Sequence, residues 1–502
     1  MNNLGGISLN DYAGFSVGQQ FGGHYNPADV ETLYKAMSAE HITGTQTWDD
    51  ATVSGAGLKV ESLENTLKIL VNTPRHTPFF FRIGKKPATN TVEEYVQLQN
   101  YGNLDGGSTL EGELPVNADS IFVRRANLIK YFGVVGGVTH QMQLVQTGAG
   151  ISNMLATETK NKVELMTKIL EGYLPFADSR KVPTLFNGFM AQHEMDTGFP
   201  SYDAYQDSEV VVDLRGSVLT DTAVEQAALG IVNNFGLGDM LISSPRTFSN
   251  FVTRYHSRKW MQPVPAQIRD GVFGQRVNEI ITQNGAVEIM QSNFFRFSFQ
   301  KYLTTPTTSP QAPLSPIADP TTPAAAVADP YNRFANFTGD YLYAVAAKNR
   351  FGESALVPLG TGLVTVAAGN SVQLTFAPNP ADPNPATCFS IYRTKVNPLS
   401  TDAYYKILEV SMTELTNGHD GAPAGSIYDR NRFLPDTDQA MLVEWDADQV
   451  LAWKQLAPMM KMNLAIIAPI MRFMVLCYGA TFLYAPKKMV RFINIGNSLA
   501  GL

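Results

Sequence analysis

His193 and Glu194 are the first neighbours in this chain whose types could do chemistry. A histidine followed by glutamate opens the H-E-x-x-H arrangement, in which two imidazoles one helical turn apart hold zinc and the glutamate acts as base. The chain continues Met195-Asp196-Thr197, so the second imidazole is missing. Asp446-x-Asp448 offers two carboxylates to calcium, but the further oxygens and the glycine of an EF-hand loop do not follow. Those acids read instead as caps of a helix near Ala447 to Leu456. Gly148-Ala149-Gly150 stands before a long helix whose N-terminus could favour an anion, although a turn is the simpler reading. There is no G-x-S-x-G elbow and no G-x-x-x-x-G-K-[ST] phosphate loop. Acidic pairs are common enough to leave a glycosidase dyad open. Seven histidines and two cysteines, Cys388 and Cys477, share no spacing that would make a zinc site or a disulfide framework. No catalytic residue, metal ligand or cofactor is assigned.

Composition narrows the classes further. A chain of 502 residues has room for two or three domains. Hydrophobic residues make up 44% and charged ones 17%, as in a globular protein with large contact areas. The net charge of -7, with no basic block, argues against affinity-driven binding to nucleic acid, which requires Lys and Arg to neutralise phosphates. Two cysteines fit a reducing compartment. Met1 is followed by neither a basic nor an apolar leader segment, so no secretory signal is expected. Leu464 to Ala485 is the one membrane-like run; Pro469 and Arg472 interrupt it, and it reads as buried strands.

The elements that would organise such a chain lie between Thr91 and Phe176. Thr91 to Leu98 alternates, as does Ile121 to Val135, and between them runs a Gly-rich acidic excursion with little to bury. An isolated two-stranded ribbon is marginal in water, so this hairpin must lie on something else. A long amphipathic helix follows, with Ile151, Leu155, Val163, Met166, Leu170 and Leu174 on one stripe and the pairs Glu158/Lys162 and Glu164/Lys168 on the wetter side. Pro175 is expected to stop it, with Gly172 as a candidate cap.

Thr91-Val-Glu-Glu-Tyr-Val-Gln-Leu98, Phe132-Gly-Val-Val-Gly-Gly-Val-Thr-His140 and Tyr478-Gly-Ala-Thr-Phe-Leu-Tyr484, in this order, carry a likeness. The chain resembles the major capsid proteins of tailed bacteriophages, the shell fold shared with encapsulins and herpesviruses, over roughly residues 1–300 and 438–502. The resemblance implies an α+β fold of N-terminal arm, extended hairpin loop, spine helix, and peripheral and axial domains. It also implies an assembly hairpin that reaches neighbouring subunits through Tyr101, Leu104, Asp105, Leu110, Glu111, Glu113, Arg124 and Arg125. In some members a lysine and an asparagine cross-link subunits; Lys85, Lys86 and Lys130 are the candidates here, none singled out.

Set on this frame, residues 1–60 form the arm, with two cations against six anions and a short helix around Ala28 to Met37. Residues 61–90 join arm to body, where Leu63 to Val71 and Phe79 to Phe81 supply anchors. The hairpin takes 91–135, the peripheral domain with its spine helix 136–205, and the first part of the axial domain 206–303. In the axial part Thr222 and Glu225 form a T-x-x-E capping box, Gly236 ends that helix, and Ser244 with Pro245 opens a second one. Strands are expected at Asp239 to Ser243, Arg276 to Thr282 and Ala286 to Met290. Seven prolines make 304–330 an extended linker.

Residues 331–436 alternate as an inserted all-β immunoglobulin-like sandwich. Its phrase Tyr341-x-Tyr343-x-Val345-x-Ala347-x-Asn349-x-x-Gly352-Glu353-Ser354 is similar to fibronectin type III domains, but comes first where that family has it late, as a circular permutation would give. The axial and peripheral parts resume over 437–502.

The function implied is that of a virion structural protein that self-assembles as hexamers and pentamers into an icosahedral head. The head is built in the bacterial cytoplasm and encloses double-stranded DNA without reading its sequence. Implied partners are further copies of the chain and portal, scaffolding and cement or decoration proteins, with no membrane. Two other readings are a tail or baseplate protein, and a carbohydrate-active enzyme with an accessory sandwich.

Overall fold

The computed structural model describes residues 3–4, 7–8, 76–102, 108, 110–114, 119–145, 153–197, 210–256, 277–295, 309–360, 362–399, 402–465 and 468–496. They fall in two compact units, Met1–Lys68 with Gln146–Ser152, and Ile69–Val145 with Asn153–Leu502. In the first unit the described residues are one antiparallel pair, Asn3–Leu4 with Ile7–Ser8. The helix near Ala28 to Met37, the Leu63 to Val71 anchor, Gly148 to Gly150, Ile151, Leu104 and Asp105 lie outside the described residues.

The second unit is α+β, and a four-stranded sheet forms its wall. Leu451–Asn463 and Ile470–Leu483 pair antiparallel at its centre, Lys130–Thr139 extends one edge, and Lys85–Pro87 runs parallel on the other. These strands alternate: Phe132, Trp453, Phe473, Val475 and Cys477 enter a core with the spine helix, while their neighbours point away from it. The run expected to be a helix near Ala447 to Leu456 is therefore mostly strand. Asp446 and Asp448 cap no helix; the Asp446 carbonyl accepts the Val450 and Leu451 N–H groups in a turn, and Lys86 reaches Asp448 at 2.8 Å.

The spine helix spans Met154–Phe176 and begins at Asn153, whose side chain accepts the Ala156 N–H at 3.0 Å. Met166, Leu170 and Leu174 are buried in the core, and Leu155 and Val163 pack against it, so the apolar stripe is the packed one. Pro175 does not stop this helix, and Gly172 lies within it; Ala177 is the cap. A proline in the last turn forfeits one hydrogen bond, and here its ring is buried.

A six-stranded mixed sheet follows, in the order Val211–Asp213, Met489–Ile495, Asp438–Val443, Met240–Ser243, Gly285–Gln291, Glu279–Thr282. Its alternate residues feed two cores. Met240, Ile242, Met290, Met441 and Val443 join the wall core. Leu241, Val287, Leu442, Val490 and Phe492 meet helices Asp221–Asn233 and Pro245–His256. The first helix is capped by Thr220, which accepts the Ala223 N–H at 3.1 Å, and not by a Thr222/Glu225 box. Glu225 is instead committed to the Gln283 N–H.

Between the fifth and third strands of that order the chain builds a two-sheet module, to which a short antiparallel pair, Gly339–Tyr341 with Val364–Val366, is added. One sheet holds Ile317–Ala318, Ala324–Ala328, Asn370–Ala377 and Ser426–Asp429; the other holds Gly352–Glu353, Val357–Pro358, Tyr343–Asn349, Cys388–Arg393 and Tyr405–Ser411. Val345, Phe389 and Ile391 from one side and Val372, Leu374 and Ile427 from the other share a core. The Pro-rich stretch is thus not all linker. Its two strands pair with Asn370–Ala377, and Pro316, Pro320 and Pro323 flank them without interrupting a ladder.

Candidate assembly surface

The hairpin pairs Val92–Asn100 with Ile121–Leu128, so Val92 faces Leu128, Glu94 faces Ala126, Val96 faces Arg124 and Leu98 faces Phe122. Those pairs share one face, and the period of two puts Glu93/Asn127, Tyr95/Arg125 and Gln97/Val123 on the other. The second face lies on the body. Tyr95 donates its phenol to the Leu483 carbonyl and sets its ring edge-on to Tyr484, with centroids 5.0 Å apart. Asn127 donates to the Thr481 carbonyl at 2.7 Å, and Gln97 to the Tyr484 carbonyl. Burial pushes the Tyr95 phenol up to about 12. Burial would raise Glu93 too, but the Thr89 and Asn90 N–H groups and Lys454 bring its carboxyl down to about 2.

The patterning of this ribbon is inverted. Its polar residues grip its own subunit, while Val92, Val96, Leu98, Phe122 and Leu128 are exposed, Val96 by 63% and Phe122 by 65%. A lone exposed apolar residue is ordinary, but a ladder of them on one face makes a candidate contact surface. Beyond the strands Tyr101 and Leu110 are exposed at 83% and 74%, and Leu114 at 94%; Glu111 lies within the turn that the Glu113 N–H closes on the Leu110 carbonyl. Arg124 stays on the outer face and pairs with Glu94, whereas Arg125 turns inward to Asp196 and Gln97. Sequence reasoning singled out the loop tip together with Arg124 and Arg125 of the second strand and did not name the ladder, although the alternation of Thr91 to Leu98 already held it.

The wall sheet leaves a second apolar face bare. Away from the spine helix, Tyr131 packs edge-on to Tyr478 at 5.2 Å, and Tyr131, Val135 and Met462 are exposed.

The groups with chemical potential are committed to the fold. His193 is fully buried beside Arg491, and burial first, then that guanidinium, pushes its imidazole down to about 4. Glu194 lies 2.6 Å from Arg491. Burial raises the thiols of Cys388 and Cys477 to about 11. Among the described residues no three His, Cys, Asp or Glu side chains gather as a metal site, and no helix is long and apolar enough to cross a membrane. Lys85 lies over the Phe80 ring, Lys86 pairs with Asp448, and Lys130 donates to the Pro183 carbonyl at 2.7 Å.

The chain is 24% identical over 482 residues to the major capsid protein of Staphylococcus phage K, covering 94% of this chain and 98% of that one. It is 22% identical over 461 residues to a putative major capsid protein of Enterococcus phage phiEF24C, covering 90% and 93%. Among solved structures, the capsid of a native GTA particle aligns with a TM-score of 0.43 at 6% identity, covering 89% of this chain and 99% of that one. The SrpI encapsulin complex from Synechococcus elongatus PCC 7942 aligns at 0.40 and 8% identity, covering 88% and 94%. The model of the family described as SU10 major capsid protein matches residues 43–309, just over half of the chain, and the chain belongs to that family.

Proposed function

We propose that copies of this chain close into an icosahedral phage head as rings of six and five, with the outer face of each hairpin buried on a neighbouring copy. Family membership makes the chain a major capsid protein of the virion and favours a head over a tail, a baseplate or a carbohydrate-active enzyme. The observation that carries the finer reading is the inverted ribbon, polar toward its own body and apolar toward solvent. Burying a Val, Leu or Phe side chain yields about 1.5–3 kcal/mol, so Val96, Leu98 and Phe122 supply a modest contact that symmetry repeats. The bare wall face around Tyr131, Val135 and Met462 is the matching surface on the neighbour.

The two-sheet module reads as an immunoglobulin-like sandwich with a permuted fibronectin-like order. A portal, a scaffold and a cement protein are the further partners this reading asks for. Double-stranded DNA is enclosed and not gripped, in keeping with the net charge of -7. Electron microscopy of the full chain expressed with its neighbouring genes tests the head. Closed shells support it, and isolated monomers in the presence of a scaffold overturn it. Removing residues 100–113 should leave folded subunits without shells; shells in normal yield would remove the hairpin from the mechanism.

A further inference from the structure

One end of the six-stranded sheet carries an aromatic side chain in a backbone conformation poorly suited to it. Helix Asp221–Asn233 leaves through Asn234; the Phe235 N–H then donates to the Val232 carbonyl at 2.9 Å and the Gly236 N–H to the Ile231 carbonyl at 3.0 Å. That turn sets Phe235 at φ +61°, in the left-handed region where a Cβ crowds the following carbonyl and where glycine or asparagine is the usual occupant. The chain's own glycine stands one position later, at Gly236, where a Cβ would lie 2.9 Å from Ile231 and 3.0 Å from Glu444 and Lys488. Packing does not offset the strain, because Phe235 is 93% exposed. A residue that strains its own subunit without being buried in it points to a role outside it.

Three more exposed apolar side chains gather beside this ring. Leu229 lies four residues after Glu225 on the same helix face, and Glu225 accepts the Gln283 N–H in the turn between strands Glu279–Thr282 and Gly285–Gln291. Leu237 lies against Gly285, where an added Cβ would meet its side chain at 3.3 Å. Gly285 pairs with Thr282 and Ala286 with Ile281, on the strand that ends the sheet. Leu229 and Leu237 are half-exposed, and Ile281 is largely exposed.

At the size of such side chains the patch offers roughly 500 Å². A free-standing complex holds by about 800 Å² on each side. A partner arriving through this patch alone would not stay, whereas a copy tethered elsewhere meets it at high effective concentration. We propose that Phe235, with Leu229, Leu237 and Ile281, is a knob that seats on an adjacent copy of the chain already held through its hairpin. The closed turn holds the ring out from the surface, so little freedom is lost when it seats. This rests on the reading that copies assemble into a head, and it adds a second contact on a sheet other than the wall.

Phe235→Asn removes the ring and suits the left-handed turn. Its urea unfolding midpoint should not fall below that of the wild-type subunit, while the yield of closed shells drops about tenfold. A lowered midpoint would show that the ring serves its own subunit, and shells in normal yield would show that it seats on nothing; either overturns the proposal. Loss of shells from the wild-type chain as well would overturn the head itself, and this contact with it. A second measurement leaves the ring in place. Ile281→Cys sets a thiol in the patch of a chain whose own Cys388 and Cys477 are buried. A maleimide should label it about tenfold more slowly in shells than in free subunits. Equal rates would mean that the patch stays bare, and shielding that begins only when a cement protein is added would give the patch to that protein; both reject a second copy as its occupant.

Discussion

Tyr95 donates its phenol to the carbonyl of Leu483 across 3.2 Å, and this bond, with those of Gln97 and Asn127 on the same face, orients the hairpin, because the period of two then turns Val96 outward. The two faces should separate stability from assembly. Val96→Ser with Phe122→Ser alters exposed positions, so the thermal midpoint of the subunit should move by no more than about 2 °C while shells disappear. Tyr95→Ala should instead lower subunit stability by roughly 2 kcal/mol through lost packing against Phe482 and Tyr484. Thermal unfolding and sedimentation of each variant make the comparison. Normal shells from the double-serine chain would show that the ladder faces no neighbour.

Glu171 ties three segments together from inside the spine helix. Its carboxylate accepts the Phe79 N–H at 3.1 Å, the Phe80 N–H at 2.7 Å and the Ser292 hydroxyl at 2.7 Å, all buried. Glu171→Ala leaves two backbone donors unmet at the short helix Pro78–Arg82 and should cost roughly 3 kcal/mol. Glu171→Gln keeps an acceptor oxygen and should cost less than half of that. Urea unfolding of the two variants gives the ratio, and equal losses would mean that shape at this position matters and the bonds do not.

Long-period features of the fold were legible in the sequence because burial enforces them. The stripe Leu155, Val163, Met166, Leu170 and the strands around Cys388–Arg393 and Ile427 pack where their periodicity put them. Local signals failed where a tertiary partner outbid them. Glu225 left its capping box for Gln283, Leu451–Trp453 became strand against Phe80 and Phe186, and Pro-rich 309–330 gained two strands because Asn370–Ala377 had an open edge. The outer ladder of the hairpin was hidden for another reason. Alternation shows that two faces differ, but only Leu483 and Thr481 reveal that the polar face is the inner one.

Arg393 is wholly buried in the module, with 2.6 Å bonds to Asp429 and Asn431 and its guanidinium over Phe334 and Tyr341. Tyr343 adds a third partner to the site through Asp429 at 2.9 Å. Arg393→Met leaves the buried Asp429 carboxylate with the Tyr343 hydroxyl and the Asn431 N–H but without its counter-charge, and should destabilise the module by about 3–5 kcal/mol. Arg393→Met with Asp429→Asn removes both charges and should recover at least half of that loss. A double-mutant cycle by chemical denaturation measures the coupling, and strictly additive losses would show that the two charges do not depend on each other.

His193 gives the subunit a pH dependence with a fixed sign. Its imidazole is held down at about 4, against an ordinary 6.5, by burial and by Arg491. As pH falls, the unfolded chain takes up this proton near 6.5 while the folded chain resists until about 4, so stability is full above the first value and drains away between the two. The difference amounts to roughly 3 kcal/mol at one site. Below about 4 this group changes nothing further, and the depressed carboxyls of Asp178 and Glu194 take over the loss. In His193→Gln the slope of unfolding free energy between pH 6.5 and 4 should fall by about one proton. Urea unfolding at several pH values through that window measures it, and parallel slopes in the two proteins would mean that the folded subunit protonates His193 as freely as the unfolded chain does.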